Sequence, residues 1–272
     1  MGRDPERQVA AARSWDVRRV AETGSTNTDL LALARDGAAE GVVLVADHQT
    51  AGRGRLDRRW EAPPGASLLV SVLLRPPAAV AETVAMTTAL AMAEGVEDAC
   101  GVHALLKWPN DLVVEVDDHT RKLAGVLAEA DWPARSQASG GWSPPPPGER
   151  LTVVVGLGVN VNWPDELPEE LADILTACNH LAGRPIDREA VLTAFLARLG
   201  DRYGARVAGG DPGALVADWR ARSATLGRRV RVDLGRDDVE GTAVDFTPEG
   251  RLVVDTADGP RTFSVGDVVH LR

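Results

Sequence analysis

The sequence predicts an α+β protein in two unequal parts, and three observations carry that expectation. Short β-branched or leucine-rich runs, among them "VVLVAD", "SLLVSVLLR" and "LTVVVGLGVNVN", read as buried strands. Helical segments lie among them and after them. From Gly227 onward the pattern changes to short alternating runs broken by Gly and Asp turns, which reads as a compact all-β unit, a small β-barrel. The boundary falls near Leu226, giving a larger unit over residues 1–226 and a small C-terminal β-barrel over residues 227–272. A chain of 272 residues, 44% of them hydrophobic, suits one large domain with such an appendage.

The first dozen residues are polar and are expected to be frayed. "TNTDLLALARDG" follows as a helix, capped by Thr26 or Asn27 and closed by Gly37. The strands "VVLVAD" and "SLLVSVLLR" bracket the stretch "QTAGRGRLDRRW", so that stretch is a loop held at both ends. "VAETVAMTTALAMAEGVED" is a helix of small residues suited to close packing. "LLKWPNDLVVEV" and "RKLAGVLAEADW" read as neighbouring strands joined at "DDHT" as a hairpin. The stretch "PARSQASGGWSPPPPGER" cannot bury enough surface to order itself and is read as a long mobile connection. "DREAVLTAFLARLGDRY" places Val191, Leu192, Phe195, Leu196 and Leu199 on one helix face behind an Asp187 cap. A second helix, "PGALVADWRARSATL", leads into the C-terminal strands "RRVRVDL", "VEGTAVDF", "GRLVVDT", "RTFSV" and "DVVHLR".

Composition excludes several functions. With 40 acidic against 30 basic residues and a net charge of -10, the chain has no general basic face for a nucleic-acid backbone. The cysteines, Cys100 and Cys178, match no zinc or redox spacing. The five histidines form no ligand pair such as HExxH, so no metal site is expected in the protein itself. Neither a signal peptide nor a membrane-length apolar run is present. These features together imply a soluble cytoplasmic protein with no membrane partner.

Against that acidic background, Gln49 to Trp60 holds four arginines and two glycines. Arginine forks suit phosphate and carboxylate oxygens, and the glycines permit close backbone approach. The plain alternative is a solvated, positively charged turn. "GSTN" (Gly24 to Asn27) sets hydroxyl and amide groups at a helix start, where capping is the simpler role. "KWPNDL" packs a lysine, an amide and a carboxylate around a stiffening proline. "RKLAGVL" carries Lys122 and Gly125. "GLGVNVN" carries Asn160 in a strand, where asparagine is depleted and a structural hydrogen bond is the simpler account.

Each motif is weak alone; their order is specific. From about Val20 to Leu271 the chain resembles the biotin protein ligases (biotin–[acetyl-CoA-carboxylase] ligases), on "STN", "QTAGRGRLDRRW", "PPGASLLVSVLLRP", "KWPNDL", "KLAGVLAEA" and "GLGVNVN". The resemblance implies a mixed, mainly antiparallel sheet backed by helices, like that of class II aminoacyl-tRNA synthetases and lipoate ligases. It also implies a two-step reaction. Biotin and ATP, with Mg2+, give biotinyl-5′-AMP, and a lysine of a biotin carboxyl carrier domain then takes the biotin. Acetyl-CoA, acyl-CoA or pyruvate carboxylase would supply that domain.

By the same resemblance, Ser25, Thr26, Asn27, Gln49, Gly52 and Gly125 belong to the biotin site, with Lys122 at the biotin carboxylate. Arg53 and Arg55 serve both biotin and nucleotide. Arg58, Trp60, Asn110, Asp111 and Asn160 lie near the adenylate. Lys122, Arg55 and Asp111 are the catalytic candidates. The chemistry suits these residue types, because a carboxylate must attack an α-phosphate. Two such anions repel by about 4 kcal/mol at ~4 Å and an effective dielectric of ~20, and Lys122 and the arginines offset that charge. In the second step a lysine amine of pKa ~10.4 must lose its proton, and Asp111 is the group to orient it or accept that proton.

The chain departs from the family pattern at Asp57, where the family's loop has glycine, and the turn between Asp111 and Lys122 is longer. Little chain precedes the catalytic part, so the resemblance is to the monofunctional kind, without a DNA-binding domain and with no DNA partner. A weak homodimer is the self-association it allows. A lipoate or octanoate ligase on the same fold is the nearest alternative, and a non-catalytic nucleic-acid module the more distant one.

Overall fold

The computed structural model of the chain describes residues 14–116, 119–131, 146–235, 237–264 and 266–271. The polar N-terminal dozen, part of the "DDHT" turn and most of the Pro- and Ser-rich connection lie outside the described residues.

The larger sheet is made of β1 (Asp16–Thr23), β2 (Val42–Gln49), β3 (Ser67–Leu74), β4 (Leu105–Lys107), β5 (Asp111–Val116), β6 (His119–Asp131) and β7 (Thr152–Asn160). Their order across the sheet is β1-β2-β3-β7-β6-β5-β4. Only β1 and β2 run parallel; the other neighbours are antiparallel. This is the mixed, mainly antiparallel sheet that the resemblance implies.

β3 lies near the middle and is buried at every position, as a strand covered on both faces must be. Alternation sends its side chains to two layers. Val70, Val72 and Leu74 join the main core, which is roofed by α3 (Val84–Cys100) and α6 (Arg188–Val207). Leu73 points the other way, onto Leu30 and Ala34 of α1 (Thr26–Arg35). The two roofing helices touch at Gly95, where a Cβ would lie 2.7 Å from the Phe195 backbone. That contact explains the small residues of α3 more fully than packing on a sheet does.

Several boundaries differ from the expectation. The helix expected from Val80 breaks into α2 (Ala78–Ala81) and α3, and α3 ends at Gly101 in the left-handed region (φ +74°). α1 is capped one residue earlier, at Ser25. The run "LLKWPNDLVVEV" is two antiparallel strands, β4 and β5, with Lys107 opposite Asp111 across the Trp108–Asn110 turn. β5 and β6 form the expected hairpin. α6 keeps its expected cap, with Asp187 Oδ1 accepting from the Glu189 N–H at 2.9 Å. Two short helices, α4 (Glu169–Ala172) and α5 (Cys178–Ala182), fill the chain after β7, and α7 (Pro212–Ala221) follows α6. Among the described residues no helix is long and apolar enough to cross a membrane.

The C-terminal strands β8 (Arg229–Asp233), β9 (Asp238–Phe246), β10 (Leu252–Thr256), β11 (Gly259–Phe263) and β12 (Asp267–His270) form an antiparallel sheet ordered β11-β10-β9-β8-β12. It is the expected all-β unit, with β11 and β12 as its edge strands. Its apolar face continues the main core. Phe246 meets Trp219 of α7 edge-on, ring centroids 6.3 Å apart, and Gly250 O accepts from Trp108 Nε1 at 3.1 Å. The small sheet therefore leans on the "KWPND" turn and on the mouth of the larger unit.

Candidate active site

Three strands and one loop make the site. β6 and β7 pair so that Gly125 lies opposite Gly158, leaving a bare patch of backbone on the sheet. The Trp60 ring rests on it: a Cβ at Gly158 would lie 2.3 Å from Trp60 Cε2, and one at Gly125 would lie 3.1 Å from Cζ3. A Cβ at Gly156 would lie 2.2 Å from Asn27 Oδ1. The glycines of "GLGVNVN" and "KLAGVL" are thus required by close approach. Trp60 Nε1 is buried and has no partner among the described residues.

At one end of this floor stands the start of α1. Ser25, Thr26 and Asn27 are buried. Gln49 Oε1 accepts from the Thr26 N–H at 2.8 Å and from Thr26 Oγ1 at 3.0 Å. Ser71 Oγ lies 2.7 Å from Thr26 Oγ1 and 2.6 Å from Asn27 Oδ1. Asn27 Nδ2 donates to Glu129 Oε2 at 2.8 Å. Ser25 holds the N-cap position, yet its side chain makes no capping bond. Capping, the simpler role for "GSTN", therefore does not use that hydroxyl.

At the other end the arginine stretch forms a tight hairpin. Arg53 and Arg59 bridge, Gly54 N–H donates to Arg58 O at 2.7 Å, and Arg58 N–H donates to Arg55 O at 3.1 Å. Leu56 and Asp57 at the tip both have positive φ (+55° and +57°), as in a type I′ turn. Glycine suits that geometry best and aspartate tolerates it, which is a physical reason for the family's glycine at position 57. Arg58 pairs with Asp267, 2.5 Å away on β12.

Arg53 pairs with Glu129 and lies 3.4 Å from Thr28 Oγ1. Arg55 donates to Asn110 Oδ1 and to Gly266 O, each at 3.3 Å. Burial, above all, pulls the Arg55 guanidinium below its usual range, against the charges of Asp267 and Asp111. Lys122 Nζ lies 2.7 Å from Asp111 Oδ1 and 5.5 Å from the Trp60 ring centroid. The Lys122–Asp111 contact is ionic, at an angle that makes no hydrogen bond. Lys107, across the β4–β5 pair from Asp111, has its ammonium lowered by burial, with Asp111 and Asp267 opposing.

These groups enclose a cavity of about 120 Å³. Of the residues singled out from sequence, it is lined by Ser25, Thr26, Asn27, Gln49, Arg53, Arg55, Arg58, Trp60, Asn110, Asp111, Lys122 and Gly125. Two lie elsewhere. Gly52 braces the loop, its carbonyl accepting from the Trp60 N–H at 3.0 Å. Asn160 is buried behind the floor, where its amide donates to Thr176 O at 3.1 Å and meets Ser67 Oγ at 3.4 Å. Sequence reasoning missed Glu129, Gly156, Gly158 and Asp267. The first three lie inside stretches already singled out, but nothing local marks Asp267. A second cleft of about 1030 Å³ lies on the outer side of the arginine hairpin, walled by Met86, Trp108, Glu249, Gly250 and Arg251. Among the described residues no cluster of three or more His, Cys, Asp or Glu side chains could hold a metal ion.

The sequence pattern of the Biotin/lipoate A/B protein ligase family matches residues 20–138, and that of the Biotin protein ligase C terminal domain matches residues 225–271. The chain is 38% identical to the biotin–[acetyl-CoA-carboxylase] ligase of Mycobacterium tuberculosis, over 97% of this chain and 92% of that protein. It is 32% identical to the bifunctional ligase/repressor BirA of Bacillus subtilis, over 90% of this chain and 70% of that protein. Its fold superimposes on the biotin protein ligase from Aquifex aeolicus in complex with biotin and ATP with a TM-score of 0.74, at 26% identity, over 94% of this chain and 99% of that chain.

Proposed function

This chain belongs to the biotin protein ligase family, and from that premise we propose that its glycine-floored cavity is where biotin is activated and handed on. The enzyme activates biotin with ATP to biotinyl-5′-AMP and transfers the biotin to a lysine of the biotin carboxyl carrier protein of acetyl-CoA carboxylase. One observation supports the placement best: a buried, neutral hydrogen-bonding end and a cationic rim face each other across one glycine floor.

The neutral end takes the biotin head group. Thr26, Asn27 and Gln49 offer a hydroxyl and amides fixed by their own hydrogen bonds, so little entropy is lost in ordering them, and Ser25 adds a buried hydroxyl. Lys122 takes the biotin carboxylate beside the bare backbone at Gly125. Arg53, Arg55, Arg58 and Asn110 hold the nucleotide's phosphate oxygens, and Arg55 is catalytic because it is desolvated and donates to the neutral acceptors Asn110 Oδ1 and Gly266 O. Positioning and charge compensation suffice for this step, so no side-chain nucleophile is needed. Mg2+ comes with ATP as part of the substrate. Gly52 lets the loop close, Trp60 covers the activated ligand, and Asn160 acts from behind the floor.

In the second step the acceptor amine attacks the acyl carbon of biotinyl-5′-AMP, and the amide bond forms as the acyl–phosphate bond breaks and AMP leaves. Asp111, drawn to Lys122 until then, orients that amine and takes its proton. Carrier domains of pyruvate carboxylase offer the same lysine chemistry and are proposed as further acceptors. The reading assigns no DNA partner, weak self-association at most, and a cytoplasmic location. It also keeps the division at Leu226, with the C-terminal unit closing one side of the site.

Biotin-dependent exchange of pyrophosphate into ATP, run with lipoate and octanoate in parallel, tests the reading. Exchange with biotin alone is expected. Exchange with lipoate or octanoate but not with biotin would overturn it.

A further inference from the structure

The rim cations differ in what neutralises them. Arg53 faces Glu129 and Lys122 faces Asp111, both carboxylates of the larger sheet. Arg58 faces Asp267, the first residue of β12 in the small sheet. The preceding residue, Gly266, presents its carbonyl to both terminal nitrogens of Arg55 at 3.3 Å. Gly266 has a φ of +138°, and a Cβ there would lie 2.7 Å from Val232 Cγ1, so this presentation depends on glycine. Among the described residues β12 is an edge strand paired with β8 alone. The first residue of one edge strand and the residue just before it thus grip two arginines of a hairpin more than two hundred positions away in the chain.

The groups doing the gripping resemble the ligand. A carboxylate oxygen and a phosphoryl oxygen offer the same acceptor to a guanidinium fork. The Asp267 carboxylate lines the cavity itself. An incoming phosphate oxygen and the Asp267 carboxylate therefore compete for one guanidinium.

We propose that Asp267 is a positioning residue for adenylation: it holds Arg58 at the rim of the cavity in the ligand-free protein, in the place of a phosphoryl oxygen, and releases it to the nucleotide. The pairing keeps the hairpin folded over the floor before substrate arrives. It also weakens nucleotide binding, since the phosphate must displace a carboxylate. The C-terminal unit is by this account a latch on the arginine hairpin. This inference rests on the reading of the cavity as nucleotide-binding.

Asp267→Asn keeps the side-chain shape and removes its charge. The KM for MgATP in biotin-dependent pyrophosphate exchange is expected to fall about three- to fivefold, the scale of a half-exposed ion pair, with kcat and the KM for biotin near the parent values. Trypsin cleavage after Arg58 in the ligand-free protein should quicken by a similar factor, and inorganic pyrophosphate should protect the variant at lower concentration than the parent. Asp267→Glu should restore parent behaviour. In an Arg58→Gln background, Asp267→Asn should leave the KM for MgATP where it was. Asp267→Ser repeats the measurement should the asparagine variant fold poorly. An unchanged or raised KM for MgATP in Asp267→Asn, with cleavage at the parent rate, would overturn the latch. If the parent lacks biotin-dependent exchange while the cleavage and protection differences hold, the latch stands and the substrate reading fails.

Discussion

At the α1 end of the cavity, Ser25, Thr26, Asn27 and Ser71 are buried, and neutral hydrogen bonds join Ser71 to Thr26 and Asn27 within one sheet and one helix. At the opposite rim, Arg53, Arg58 and Lys122 are partly solvated and held by carboxylates from three different strands. The neutral end leaves each group little freedom, because a buried polar atom without its partner costs about 1–3 kcal/mol. Its shape is set by folding. The rim has no such constraint, since each of its ion pairs gives up little when opened in water. A site that must recognise one small molecule, neutralise two anions and then admit a protein lysine needs both behaviours, and it keeps them at opposite ends of one floor.

Removing a rim charge that meets the ligand tests this contrast most severely. Lys122→Ala takes away the counter-charge of Asp111 and, on the proposed reading of the site, that of the biotin carboxylate. The adenylation rate is expected to fall by about 10²–10³-fold, the size of a lost transition-state donor. Biotin should still reach the neutral end, with weakened affinity. Normal pyrophosphate exchange together with parent biotin affinity by calorimetry would remove Lys122 from the site. Asp111→Asn should spare biotin binding and slow transfer from preformed biotinyl-5′-AMP by about 10²-fold, as loss of a general base does. Single-turnover transfer isolates that step, and a parent rate there would mean the rim carboxylate serves only its ion pair.

The floor shared by both ends gives a smaller effect with a structural readout. In Gly158→Ala the new methyl would stand 2.3 Å from Trp60 Cε2, so the ring has to leave. Overpacking of this kind costs about 1–3 kcal/mol. A lower Tm and a shifted tryptophan emission are expected, with weaker biotin binding because the rim loses its cover. An unaltered Tm and emission would show that the floor gives way as readily as the rim does.

How much of this was legible in the sequence follows the same division. Lys122, Asp111 and Gly125 come together because β5 and β6 are antiparallel neighbours, and turn and strand patterning showed that hairpin locally, whereas the tight β4–β5 turn that places Asn110 was read as continuous strand. The face and cap of α6 were equally plain, since 3.6-residue periodicity is a local signal. β1 escaped notice because "DVRRVAET" is an edge strand rich in charge, and only its parallel partner β2 marks it as a strand. The break between α2 and α3 falls at Glu82 and Thr83, neither of which is a helix breaker. Asn160 carried a true signal with two meanings, and the structure shows its amide satisfied inside the fold. Asp267 was invisible because its meaning lies in an arginine more than two hundred residues earlier.

The smallest effect concerns the wall behind the rim. His270 ends β12, three residues beyond Asp267, with Nε2 3.5 Å from Thr225 Oγ1. Burial first, then the charges of Lys107 and Arg228, push its imidazole down to about 4. A histidine whose folded pKa lies below the unfolded value of ~6.5 is protonated more readily in the unfolded chain. Its contribution is therefore intact at neutral pH, declines as pH falls through ~6.5, and levels off below about 4. The exposed carboxylates whose pKa values are lowered by arginine partners, Glu97, Asp98 and Asp245, lose their contributions only at still lower pH. The interval from pH 7 to pH 5 thus isolates the histidine from those acids. His270→Gln should shrink the loss of stability across that interval by on the order of 1 kcal/mol, reduced from the bare linkage value because the ring is only part-buried. Below pH 4 the variant and the parent should lose stability in parallel. Thermal melts at pH 7, 6 and 5 measure the difference, and a parent-like fall in Tm in His270→Gln would show that β12 is as solvated behind the rim as the rim itself.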